Sequence, residues 1–206
     1  MRSIVLTLCV FLVTGCSQEK SASKPLAQQP QTAAANAIGV LQKLVNEQNY
    51  KSLGFASLDE VKEARLGQPM EVYNIGVEKL KNYQSGQDPN SLLTTSEETI
   101  YPVTVDGIVR SGVTLVHKEQ GFEPSSFGNA EIVKRLAGYR QTPDDFAVRI
   151  PALNLYFVGR YVETRIVVAP IVNDPRLKVR AGEAAPLEVV VDQLRPYADS
   201  YKGLPM

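Results

Sequence analysis

Few side chains in this 206-residue chain are of types that do chemistry unaided. The single histidine, His117, lies in the run "VTLVHKE". An imidazole can act as a general base or a ligand, and any Ser-His-Asp triad here would have to use this one; nothing in the spacing selects its serine or its acid. With strand alternation, His117 shares a face with Val113 and Leu115, which suits a hydrogen-bonded residue of the core or its rim. Asp144-Asp145 is the nearest approach to a carboxylate pair. Its setting, Thr142-Pro143-Asp144-Asp145, also offers an N-cap, a proline at the first helical position and acids in the first turn, the pattern of a capped helix or turn. Glycoside hydrolysis needs two carboxyls about 5–10 Å apart, a separation that adjacency does not establish. The absence of tryptophan counts against a sugar-stacking cleft, and nine tyrosines count for one. Ser21-Ala22-Ser23-Lys24 fits an SxxK pattern, but its neighbourhood offers no scaffold to hold a nucleophile against a base.

The stretch "RLKVR" carries the most suggestive charge. Read as a strand, it projects Arg176, Lys178 and Arg180 from one face and Leu177 and Val179 from the other. Three cations in line can meet lipid headgroups, an acidic partner or an anionic envelope polymer; equally, they can form a solvated edge that discourages strand-to-strand aggregation. Tyr197 and Tyr201, four apart near the C-terminus, share a helical face suited to core packing. The chain contains no GxSxG, HExxH, P-loop, GxGxxG or EF-hand pattern. No metal site and no cofactor is expected, since one histidine and scattered carboxylates give no clustered ligand set.

The N-terminus is more specific. Arg2 is the only charge before a run of about ten mostly apolar residues, Ile4 to Val13, half of the ~20 needed to span a bilayer. A basic start, a short apolar region and small residues before a cut describe a secretory signal peptide. Val13-Thr14-Gly15-Cys16 resembles the lipobox of bacterial lipoproteins, a resemblance confined to residues 1–16. It implies cleavage before Cys16, a diacylglyceryl thioether on its sulfur and usually a third acyl chain (such as palmitate) on its amine. Two or three chains anchor a protein stably without a transmembrane helix. Cys9 would then leave with the leader and Cys16 would carry lipid, so no thiol or disulfide remains in the mature domain. Ser17 is not the aspartate of inner-membrane retention, so by the family's sorting rule the protein resembles an outer-membrane lipoprotein facing the periplasm.

Residues 16–36, rich in Ser, Gln, Ala, Pro and Lys, lack the apolar surface to offset ordering entropy and read as a flexible tether. Residues 37–206 then suffice for a single domain. The chain has 22 basic and 22 acidic side chains; without Arg2 the balance is −1, which argues against nucleic acid as a partner.

The scaffold reads as follows. Ile38, Leu41, Leu44 and Val45 mark one face of a helix over about Thr32–Gln48. Ser57 and Glu60 form a capping box for a second helix, ended by Gly67 and Pro69. Met70–Ile75 reads as a strand followed by a short helix, and "SGQDPNS" as a turn. "TIYPVTV", Asp106-Gly107 and "IVRSGVTLVHK" read as a hairpin with a type I′ turn, Gly112 marking a bulge that resets its phase. Pro102, which cannot donate to a ladder, places its strand at or near an edge. Phe122–Phe127 adds a third strand, and Asn129 caps a helix bearing Ile132, Val133 and Leu136. The β-branched last third suggests further strands broken near Pro151 and Gly159, another at "LKVRA", and a closing helix. Together these define an α+β fold with a largely antiparallel sheet flanked by helices, in one domain; a sub-lobe from about residue 142 is the alternative division.

The functional expectation is a membrane-anchored envelope lipoprotein with a non-catalytic domain that binds or assembles with another envelope protein or a small ligand. An envelope hydrolase using acidic residues or a Ser-His pair is the alternative.

Overall fold

A computed structural model of the chain describes residues 29–203. Its centre is a mixed sheet of nine strands: β1 (Arg65–Leu66), β2 (Met70–Ile75), β3 (Leu93–Val105), β4 (Ile108–Lys118), β5 (Gly121–Phe127), β6 (Phe146–Ile150), β7 (Leu155–Val162), β8 (Arg165–Pro170) and β9 (Ala185–Pro186). Five helices flank it: α1 (Pro30–Leu44), α2 (Leu58–Lys62), α3 (Val77–Asn82), α4 (Ala130–Tyr139) and α5 (Leu187–Ser200). The strand order is β5-β4-β3-β2-β6-β7-β8-β9, with β1 beside β3. Every pairing is antiparallel except β2 with β6. That parallel pair joins the two halves into one sheet, so the C-terminal third is a continuation of the domain and not a sub-lobe.

Alternation along the strands sorts the core into layers. Met70 pairs with Ile100, and both face the cluster that also buries Val133 and Leu136 of α4. The residues between them point the other way. On that opposite face Tyr101, Val103, Val113 and Leu115 are covered by Ala33, Ala37 and Leu41 of α1. Farther along the same face Ile75, Val148, Phe157 and Val168 are covered by Leu80 of α3 and by Leu187, Val191 and Leu194 of α5. One face thus carries two helical layers over its two halves, and α4 covers part of the other.

Local signals explain much of this. Asp106 and Gly107 take positive φ of 51° and 76°, so Val105 pairs with Ile108 as in a type I′ turn. Ser57 Oγ accepts from Glu60 N at 3.3 Å, and the Glu60 carboxylate accepts from Ala56 N at 2.7 Å while pairing with Arg110 at 2.7 Å.

Several expectations are corrected. Helix α1 starts at Pro30, with Ala33 and Ala34 buried, so residues 30–36, expected as the end of the tether, are helical. The hairpin's register shift falls at Arg110, unpaired between Val109 and Ser111; Gly112 is needed because a Cβ there would meet Val133 Cγ2 at 2.6 Å. Pro102 is buried within an interior strand, and its missing donor falls in the gap between the β2 and β1 pairings, where Gly67 N donates to its carbonyl at 2.7 Å. Asn129 sits at the N-cap with φ 50° but accepts no capping bond. The break expected near Pro151 is present, a 3-10 turn over Pro151–Leu153 separating β6 from β7, but Gly159 lies inside β7 and the second break falls at Glu163, at positive φ. "LKVRA" forms no strand.

Candidate functional site

The three cations singled out in sequence are not aligned. Residues 171–184 cross from β8 to β9 as turns, so nothing holds Arg176, Lys178 and Arg180 on one strand face. Leu177 is buried, and Arg176 folds back to donate to Asp174 Oδ1 and Oδ2 at 2.8 Å each and to the Leu153 carbonyl at 3.0 Å. The hydrogen bond from Arg176 holds the Asp174 carboxyl below the usual carboxylate range, and the same bond raises the guanidinium. Lys178 and Arg180 are exposed. Tyr197 is not core: it is 43% exposed, with the Arg176 guanidinium 6.0 Å from its ring centroid. Around this pair, Leu153, Pro175, Tyr201 and Lys202 line a hollow of about 470 Å³ in which Asp174 neutralises Arg176.

His117 is exposed at the end of β4, its ring tilted at 41° against Phe122 with centroids 4.8 Å apart. It shares an open depression with Glu97, Glu119 and Glu123 and is hydrogen-bonded to no serine or carboxylate among the described residues. It is a rim residue, not a buried one. Cys9, Cys16 and the Ser21–Lys24 pattern lie outside the described residues.

Asp144-Asp145 leads to the best-formed site. Asp145 is buried, 2% exposed, and accepts from Gln141 N and Thr142 Oγ1 at 2.8 Å each while pairing with Arg160 at 3.2 Å. Arg140 ties the same loop to the segment before β2. Its Nε donates to the Thr142 carbonyl at 2.9 Å, its Nη1 to the Gln68 carbonyl at 3.0 Å and its Nη2 to the Pro143 carbonyl. These bonds stand Pro143 and Asp144 opposite Pro69 and Glu71 as two walls of a groove of about 390 Å³.

Its floor is aromatic. Tyr73 of β2, Phe146 of β6 and Tyr161 of β7 stand on neighbouring strands, on the sheet face that α1 and α5 share. The Phe146 ring lies 4.9 Å from Tyr73 in an edge-to-face arrangement of 63° and 5.5 Å from Tyr161 at 48°. Gly159 makes this possible. Phe146 pairs with it across β6 and β7, and a Cβ at that position would meet the ring at 2.5 Å. Tyr73 Oη donates to Glu71 Oε2 at 3.2 Å. Burial raises the Tyr73 phenol, with further contributions from Glu71 and from Tyr161. Glu71 and Asp144 have no ion-pair partner among the described residues, and no lysine or arginine lines the groove.

Sequence reading found this site only through Asp144-Asp145. The three rings are separated by 73 and 15 positions, and the parallel β2–β6 pairing that unites them has no local signature. The one available signal was a glycine between aromatic residues in "YFVGRY".

No family model matches this chain, and no curated protein or solved structure is similar to it.

Proposed function

We propose that the protein is a lipid-anchored envelope protein, attached through Cys16 to the outer membrane, whose α+β domain binds a ligand in the Tyr73–Phe146–Tyr161 groove. The observation that carries the binding reading is the groove itself. The partly buried Tyr73 and the exposed Tyr161 flank the buried Phe146 ring with no helix residue among the groove's lining, in a hollow within the range of about 300–1,000 Å³ typical of small-molecule sites. Tyr161, 58% exposed, stands at its mouth, where a large apolar side chain gains little from folding alone.

The anchoring part rests on the Val13-Thr14-Gly15-Cys16 resemblance. Thirteen residues separate Cys16 from Pro30, so the domain would stay within about 50 Å of the lipid even at full extension. Intact-mass measurement of the membrane fraction is expected to show acyl chains on a polypeptide beginning at Cys16, and Cys16→Ala to release the protein from membranes. Full retention of that variant would refute the anchor. The binding part is tested separately, by titration of the purified chain.

A further inference from the structure

We infer that the groove is a site for a small quaternary-ammonium compound, a choline-like cation held against the rings of Tyr73 and Tyr161 above the buried Phe146. The inference rests on the binding reading of this groove and is independent of the lipid anchor.

The argument is one of charge against surface. A full positive charge is attracted to the negative face of an aromatic ring, and several rings around one position form the cage that recognises quaternary ammonium groups. Here the partly buried Tyr73 and the exposed Tyr161 present ring surface to the groove, each braced by the buried Phe146, whose centroid lies 4.9 Å from the first and 5.5 Å from the second. The wall residues add charge of the matching sign, since Glu71 and Asp144 stand at the rim with no ion-pair partner among the described residues. The positive side chains nearby are engaged elsewhere: Arg140 with three backbone carbonyls, Arg160 with Asp145 and Gln141. A carboxylate or phosphate ligand would meet two like charges and no cation in the groove's lining. A lysine or arginine side chain carries the right charge, but its N–H donors seek directional acceptors. A primary ammonium is also strongly hydrated and would give up that water against prolines and rings, whereas a methylated ammonium is weakly hydrated and asks only for ring surface and a diffuse negative field.

The test is a choline titration of the full chain, read from the ring resonances of Tyr73 and Tyr161. Its neutral isostere 3,3-dimethylbutanol and lysine amide are run in parallel. Saturable shifts with choline, at least ten-fold weaker binding of the isostere, and weaker binding of lysine amide are expected. Tyr161→Ala removes an exposed ring and so leaves the fold intact; it should weaken choline binding about ten-fold. Glu71→Gln should weaken choline several-fold and leave the isostere unchanged. Equal binding of choline and the isostere would overturn the cation assignment while leaving the groove a binding site, and tighter binding of lysine amide would overturn the quaternary assignment. Ring resonances unmoved by all three compounds would overturn both the inference and the binding reading beneath it.

Discussion

Asp145 shows how one side chain sets a loop. Its carboxylate is 2% exposed and satisfied on three sides, by Gln141 N, Thr142 Oγ1 and Arg160. Removing it leaves Arg160, whose side chain is only 16% exposed, without its counter-ion, and a buried charge without a partner costs about 3–5 kcal/mol. Asp145→Ala should therefore lower unfolding stability in urea by about 3 kcal/mol, while Asp144→Ala, at an exposed neighbour, should change it by less than about 0.5 kcal/mol. Asp174 acts with pH. Its folded-state carboxyl is held below the usual range by Arg176, so its contribution is fully present above the unfolded value of about 3.9 and is lost as pH falls through the folded value. Asp174→Asn should accordingly destabilise the protein by about 1 kcal/mol at neutral pH, the order of a partly solvated charge-assisted hydrogen bond. The difference between variant and wild type should shrink progressively below pH 4, as followed by urea midpoints across pH; a constant difference would mean that the Arg176 contact adds nothing specific to the ionised form.

At the scale of the elements, the β6–β7 pair rests on a glycine that a strand would ordinarily disfavour. Gly159→Ala inserts a methyl where the Phe146 ring already lies, with a Cβ 2.5 Å from it, and such overpacking costs about 1–3 kcal/mol. Phe146→Leu should relieve part of that cost. A double-mutant cycle by chemical denaturation should give a favourable coupling between the two substitutions, and strict additivity would show that the ring does not rest on the glycine. Elements of this kind divide clearly by legibility. The β3–β4 hairpin was readable because Asp106-Gly107 is a local signal whose positive φ few other residue pairs supply. The strand expected at "LKVRA" failed because alternation cannot distinguish a strand from a turn, here one led into by Arg176, which an acid two residues earlier recruits. Tyr197 was misassigned for a related reason: four-residue spacing fixes a helical face but not what covers it.

For the molecule as a whole, the sequence carried the fold class and missed that residues 30–36 are helical. Ala33, Ala34 and Ala37 are small enough to leave no hydrophobic run, so a polar, alanine-rich stretch looks like a spacer although it packs against β1, β4 and β5. The groove escaped for the opposite reason, since its rings are conspicuous but are united only by the long-range β2–β6 pairing. The docking of residues 30–36 admits a sharp test in the intact chain. A tether tolerates charge equally at neighbouring positions, whereas a docked helix does not. Ala34 is fully buried and Ala35 is exposed one residue away. Ala35→Glu should leave stability within about 0.5 kcal/mol of wild type, because glutamate is a good helix former on a solvated face. Ala34→Glu would place an unpaired carboxylate against the sheet, and burial of such a group is costly enough that α1 should detach first. The loss is thus capped by the docking energy of α1, about 2–4 kcal/mol for a helix that buries three alanines and Leu41. Hydrogen exchange separates the two outcomes: amides of α1 should lose protection in Ala34→Glu while those of β6 and β7 keep theirs, and equal behaviour of the two variants would return residues 30–36 to the tether.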